Sequence, residues 1–429
     1  MKDIVLIEPY CPEDSKKERL RKITEYSLQG YAAEKITTAE EMEKTDLRNR
    51  RILFTVSLGE SGINLNWYAM MKYLRLNKDA LEGSTGGVIL DGNSEIFTKS
   101  TGRSLVFTAN RAGCTFPGRA LVEGTRTLKN YNIQAQNLNT DNFGAYMAAG
   151  RTLVKNIMNY RAPKKKNPEL LVLHASDKKT SNSIALWEMI KKDLPECSSN
   201  EISLRNGQLM DCRGCSYETC LHFGEEGSCF YGGPIVEKVY PAILSCDALV
   251  MLCPNYNDAI GANLTAFVNR LTALFRTHRF YDKSVFGVIV SGYSGGDIVA
   301  EQLISSINMN KSFALPGKFA MLETANDARA ILTSQGVGER AALFAENIRR
   351  RIVLDEQWGY FESMKLRGSK LYLRDKEMNK KGVGDERKSF KAEKQERHGA
   401  GSGGDPRCSG SGSGTDIQDR DNGFRKQDL

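Results

Sequence analysis

Residues 170–186 read LLVLHASDKKTSNSIAL. A near-continuously apolar strand, LLVLH (170–174), gives way to a polar loop (175–183), and helical spacing begins at about Ile184. A strand with no polar alternation is buried on both faces, which is the habit of parallel sheets. The same grammar recurs downstream. It predicts strands near 201–204 and at 248–254, 284–292 and 318–323, alternating with helices at about 236–244, 262–275, 297–307 and 338–351. Strand and helix in alternation predict an α/β domain over 168–352, with a parallel sheet covered on both faces.

Working outward, Arg161–Pro168 carries two prolines and three consecutive lysines, which marks it as a linker. The block before it, 1–160, also reads as α/β, with strands expected at 4–8 and 52–58 and helices at 15–28 and 64–76. Within it, 87–90 and 95–98 flank Asp91-Gly92, a hairpin signal. No phosphate loop, metal spacing or catalytic triad stands out there, so this domain's role stays open. From about 376 apolar residues nearly vanish, and a disordered low-complexity tail, 376–429, is expected.

Hydrophobic residues make up 40% and charged residues 26% of the 429, values ordinary for a soluble globular protein. No apolar run reaches the roughly 18–20 residues needed to span a bilayer, and the N-terminus lacks signal-peptide architecture. A cytoplasmic protein without a membrane segment is the expectation. The net charge of +8 is spread over helix faces, linker and tail and forms no nucleic-acid motif, so no nucleic-acid partner is expected.

The loop after the first strand of 168–352 places Ser176, Lys178, Ser181, Asn182 and Ser183 before a helix N-terminus. Hydroxyls, free main-chain N–H groups and the helix dipole suit a phosphate there. A polar βα loop with an ordinary Ser/Asn cap explains the same residues. Walker and dinucleotide glycine patterns are absent. The strand at 248–254 ends in Cys253-Pro254-Asn255-Tyr256-Asn257, before the helix LTAFVNR (264–270). The next strand ends in Ser291-Gly292-Tyr-Ser-Gly295-Gly296, where glycines allow backbone to approach a flat ligand.

Together these loops resemble the NADPH-dependent FMN reductase family. Its first loop runs approximately G-S-P-R-x-x-[GS]-N-[ST], here with Ala175 for the glycine and Asp177 for the proline. Its later motifs resemble CPNYN and LTAFVNR. The resemblance implies a flavodoxin-like doubly wound sheet in three α/β/α layers. It implies FMN held by Ser176, Lys178, Ser181, Asn182 and Ser183 at the phosphate, and by Pro254, Asn255, Tyr256, Asn257, Ser291, Gly292 and Gly295 along the ring. It also implies NAD(P)H as co-substrate, a second electron acceptor as partner, and a homo-oligomer. The flavin carries the chemistry, so no side-chain triad is required.

Four of the ten cysteines, Cys212, Cys215, Cys220 and Cys229, fall in a C-x2-C-x4-C-x8-C pattern. The iron–sulfur flavoprotein branch of the family carries a tighter cysteine motif here that binds a [4Fe–4S] cluster. Free or redox-active thiols and a zinc site are the other readings, and His222 lies inside the cluster. The favoured expectation is an NAD(P)H-dependent flavin oxidoreductase, with electron relay through such a cluster as an option; the alternatives are a non-enzymatic flavin/iron–sulfur carrier and a redox-sensing regulator.

Overall fold

In the N-terminal half, parallel strands alternate with helices as β1 (Ile4–Ile7), α1 (Lys17–Leu28), β2 (Ala33–Ile36), α2 (Ala39–Lys44), β3 (Arg51–Leu58), α3 (Leu65–Leu76), β4 (Thr85–Gly92), α4 (Thr98–Arg111), β5 (Leu121–Gly124), α5 (Asn132–Leu138) and α6 (Asn142–Asn159). The computed structural model describes residues 3–12, 17–205 and 209–354. The tail expected to be disordered, 376–429, lies outside the described residues. The second half continues with β6 (Glu169–His174), α7 (Asn182–Lys192), β7 (Ser198–Ser203), α8 (Tyr217–Glu225), α9 (Tyr240–Ser245), β8 (Ala248–Pro254), α10 (Ala262–Phe275), β9 (Ser284–Ser291), α11 (Gly296–Leu303), β10 (Ala320–Thr324) and α12 (Val337–Ile352).

Each half builds one five-stranded sheet, ordered β2-β1-β3-β4-β5 and β10-β9-β8-β6-β7. Read from its other edge, the second sheet repeats the connectivity of the first. Every strand pairing in both is parallel. This is the doubly wound flavodoxin-type order, whose ligand crevice lies beyond the strand C-termini at the point where the strand order reverses. The long central strands earn their place by composition. All eight residues of β4 and of β9 are buried, as are seven of eight in β3.

Two sequence expectations are corrected. Asp91-Gly92 does not turn a hairpin: the pair closes β4, which runs parallel between β3 and β5, and Thr98 begins α4 rather than ending a strand. Burial decides this, because β4 has a neighbour on each side and no free edge for a returning strand. The helices expected at 236–244 and 297–307 are also not uniform. α9 is preceded by a wider π turn at Ile235–Val239, and α11 is followed by one at Ile304–Met309.

One apolar core runs through both sheets, joining Phe54, Trp67 and Phe116 to Phe267, Phe313 and Phe319. At the junction Phe116 and Leu315 exchange main-chain hydrogen bonds of 2.9 and 2.8 Å. Two buried asparagines tie the halves. Asn110 donates to Cys114 O (3.0 Å) and Pro316 O (2.7 Å) and accepts from Phe319 N–H (3.1 Å). Asn308 donates to Phe116 O, Pro117 O and Phe313 O at 3.3, 3.2 and 2.8 Å. Residues Met1–Asp355 accordingly form one compact unit.

In the first sheet a side chain from α1 reaches the C-terminal ends of β4 and β5. Arg19 forms a two-pronged pair with buried Asp91 (2.7 and 2.7 Å) and donates to Gly92 O (3.3 Å), Thr125 O (3.1 Å) and Arg126 O (3.0 Å). A guanidinium whose donors are so used is engaged by the protein itself.

Candidate flavin site

Beyond the C-terminal edge of the second sheet lies a cavity of about 480 Å³, lined by loops that follow β6, β8, β9 and β10. Ser176, Asp177, Thr180, Ser181, Asn182 and Ser183 form one wall, with Arg205 beside them. Pro254, Asn255, Tyr256, Gly292, Ala325 and Asn326 complete it. Loops whose sequences are far apart thus meet because the parallel strands that carry them are neighbours.

The serine-rich end of the cavity is built on the start of α7. Ser181 caps the helix, its Oγ accepting from Ile184 N–H at 3.2 Å, and lies 3.0 Å from Ser183 Oγ. Ser176 is 8% exposed, and its Oγ is buried with no hydrogen-bond partner. A buried hydroxyl left unpaired is costly, and a bound oxyanion would satisfy it. Asp177 accepts from Lys179 N–H at 2.8 Å and pairs with Arg205. The Lys179 amide, and then Arg205, hold its carboxyl below the ordinary value. Arg205 brings positive charge to the cavity wall. It went unnoticed in the sequence because it follows β7 with no motif around it. Burial, with Lys178 nearby, lowers the His174 pKa, so this last residue of β6 is neutral at pH 7 and adds no charge.

Not every residue implied by the resemblance faces the cavity. Lys178 is exposed and is not part of the wall. Asn182 contributes to the wall, but its side chain is engaged. It donates to Ala325 O (3.3 Å) and Asp327 O (2.9 Å) and accepts from Ile331 N–H (3.1 Å), fastening the loop after β10 to α7. Asn257 is exposed in a left-handed turn with Asp258 (φ 53° and 57°). Ser291 is buried and accepts from Asn255 Nδ2 at 3.2 Å. Gly295 has φ 83°, and a Cβ there would run into Asp258 and Asn255. Ser291 and Gly295 therefore shape the wall from behind.

At the other end Tyr256 presents a ring that is 60% exposed. Its turn is pinned by a residue on a distant helix. Gln302 of α11 donates to Asp258 O (2.9 Å) and accepts from Ile260 N–H (2.9 Å). Gln302→Ala removes two neutral hydrogen bonds, worth about 1 kcal/mol each. We expect FMN and riboflavin affinities to fall together, by about thirtyfold, in an equilibrium titration, because the ring end and not the phosphate end is loosened. A selective loss of FMN would contradict this assignment.

The four clustered cysteines lie on the segment between β7 and α9, which is docked on α10. Buried Arg270 donates to Gly232 O (2.6 Å) and Met210 O (3.4 Å), and Asn269 donates to Asp211 (3.0 Å). Arg276 stacks on Tyr217 at 4.6 Å. Cys212 is exposed, Cys215, Cys220 and Cys229 are half-buried, and all four are free thiols. Among the described residues no group of three or more His, Cys, Asp or Glu side chains is arranged to hold a metal ion. The thiols and His222 share a segment without converging on one centre. Also among the described residues, no helix is long and apolar enough to cross a membrane.

Residues 168–327 match the model of the family described as NADPH-dependent FMN reductase. No curated protein matches the sequence. Among solved structures, an NADH:FMN oxidoreductase in its apo form is similar at 12% identity and a TM-score of 0.31, covering 44% of this chain and 92% of its own. The NAD(P)H:quinone oxidoreductase of Methanothermobacter marburgensis is similar at 18% identity and 0.30, covering 43% and 98%. An FMN-dependent NADH-azoreductase of Bacillus anthracis is similar at 13% and 0.29, covering 43% and 98%.

Proposed function

We propose, for a chain whose residues 168–327 match the NADPH-dependent FMN reductase family, that the second sheet holds one FMN and serves as an NAD(P)H-dependent flavin oxidoreductase. When bound, FMN supplies the chemistry, taking a hydride from the nicotinamide and passing electrons to a second acceptor. The chain's own residues bind and orient. Ser176, Thr180, Ser181 and Ser183, with the α7 N-terminus and Arg205, hold the phosphate end. Pro254, Asn255, Tyr256 and Gly292 border the ring, and the exposure of Tyr256 leaves an approach open for the nicotinamide.

The observation that carries this reading is the buried, unpaired Ser176 hydroxyl on the wall of a cavity of about 480 Å³ at the strand C-termini. The test is reconstitution of the full chain with FMN, followed by anaerobic NAD(P)H addition. One FMN per chain, bleached by NAD(P)H, is expected, because only the loops of the second sheet lie in the matched region. Two flavins per chain, or a flavin that NAD(P)H does not reduce, would overturn it.

The iron–sulfur reading of the cysteine segment, which Arg270 and Asn269 hold against α10, is tested separately. Four cysteines on one segment match the composition of an iron–sulfur site but not its convergent arrangement. Cys215→Ser with Cys220→Ser should abolish any iron taken up on anaerobic reconstitution. FMN content and NAD(P)H reduction should stay intact, while delivery to a one-electron acceptor is lost. Wild-type protein that takes up no iron would leave a plain flavin reductase.

A further inference from the structure

We propose that the first half carries part of the nicotinamide site: a groove of about 310 Å³ between α3, α4 and α11 takes the phosphate-bearing adenosine end of NADPH. Such a site rests on the flavin oxidoreductase reading and gives the first half a role in it.

Arg75 and Lys78, at the end of α3 and just past it, and Arg111, at the end of α4, line one side of the groove. All three are exposed, and none makes a hydrogen bond or ion pair with any described residue. On the α11 side Glu301 is held by Arg103 at 2.8 Å, which leaves Asp297 as the unpaired carboxylate of the lining. Three free cations therefore face one free carboxylate. Leu74, 1% exposed, and half-buried Phe107 add apolar surface.

Cations near helix C-termini are ordinary, since they complement the dipole. The second half, which repeats the first, shows that free ones are not obligatory in this fold. GINL (62–65) leads into α3 as GANL (261–264) leads into α10, and Asn110 and Asn308 stand at matching places before FPG (116–118) and LPG (315–317). Yet the last turns of α10 and α11 carry no basic residue. The cations that follow them are engaged: Arg276 stacks on Tyr217 and Lys311 on Phe275, at 4.6 and 5.6 Å.

α11 joins the groove to the flavin cavity. Gly292 lies on the cavity wall and Asp297 on the groove wall, and five residues of chain span at most about 18 Å. Next to Glu301, Gln302 holds the turn that carries Tyr256. A dinucleotide with its nicotinamide at the ring is long enough to set its other nucleoside in the groove. There the cations meet the 2′-phosphate, which NADH lacks, while Leu74 and Phe107 cover the adenine and Asp297 accepts from its amine or a ribose hydroxyl. An acidic protein surface also suits cations, but a concave groove of this volume admits a nucleoside rather than a protein face.

The test is anaerobic stopped-flow reduction of the FMN-loaded full chain over a range of NADPH and of NADH. NADPH is expected to saturate at a concentration at least about tenfold below NADH. Arg75→Gln with Arg111→Gln should raise that concentration by about tenfold or more for NADPH and by less than about threefold for NADH. Lys78→Gln alone should raise it severalfold for NADPH. A flavin-free readout separates this site from the reading it rests on. Adenosine 2′,5′-bisphosphate, titrated calorimetrically against the full chain, should bind more tightly than adenosine 5′-monophosphate and lose that advantage in the double variant. A chain that shows this binding but is reduced by neither coenzyme would support the groove and sink the flavin oxidoreductase reading. A chain reduced equally well by both coenzymes, or a double variant that weakens both alike, would overturn the groove alone. Variants that saturate with NADPH like wild type but deliver electrons poorly to an acidic redox protein would overturn it in favour of a protein acceptor.

Discussion

Ser176→Asp is expected to weaken FMN binding by about a thousandfold while riboflavin, which lacks the phosphate, changes by less than about tenfold. The loss has two sources. A charge-assisted hydrogen bond is removed, worth roughly 1.5–3 kcal/mol. A carboxylate is also set beside the phosphate, and two like charges about 4 Å apart repel by roughly 4 kcal/mol at the effective dielectric of a site near the surface. Water and side-chain movement return part of this, leaving about 4 kcal/mol. The Ser176 hydroxyl is already without a partner, so the free protein loses no hydrogen bond there. Equilibrium titration with both flavins reads the difference directly. Equal loss of FMN and riboflavin would move the phosphate away from this loop. Read with Gln302→Ala, in which both flavins weaken together, the pair separates the two ends of the cavity.

Asn110→Ala should lower the stability of the compact unit by about 3–5 kcal/mol, visible as an earlier urea midpoint. Asn110 is 1% exposed, and its amide serves both halves, bonding Cys114 O on its own side and Pro316 O and Phe319 N–H across the junction. Truncation leaves two buried carbonyls and one N–H unpaired, each worth about 1–3 kcal/mol, and opens a small void. The main-chain bond from Lys318 N–H to Asn110 O, at 2.9 Å, survives. FMN stoichiometry should be unchanged, because the cavity proposed for FMN lies at the far strand edge. A change under about 1 kcal/mol would mean that water reaches the junction and replaces the lost bonds.

Much of the second sheet was legible because its central strands are buried on both faces and therefore written in runs without charged residues, as in 170–173, 248–253 and 285–290. The first sheet was read only in part. β2 is a short, half-exposed edge strand reading AEKI, and its burial supplies no periodic signal. β5 reads LVEG, with two positions half-buried. Asp91-Gly92 looked like a turn because the dipeptide is compatible with one. Its carboxylate instead receives Arg19, more than seventy residues away in sequence, which local reading does not reach.

The same division runs through the site. The order of loops, with hydroxyls before α7, an aromatic turn after β8 and glycines after β9, is a property of the sequence, since each lies within a few residues of a recognisable strand end. The sequence also determined the alternation of strand and helix, and with it the parallel sheet. Which side chains face the cavity was decided only by tertiary structure. Asn182 turns to bind the loop after β10, Arg205 arrives from the end of β7, and Gln302 reaches back from α11 to hold the Tyr256 turn. The four cysteines show the same limit: their spacing is explicit in the sequence, yet the chain path does not gather them at one centre. The physical reason is common to all. Burial pattern and turn chemistry are local and repeat with the period of the element, whereas a side chain's hydrogen-bond partner is chosen by whichever distant backbone packing brings within about 3 Å.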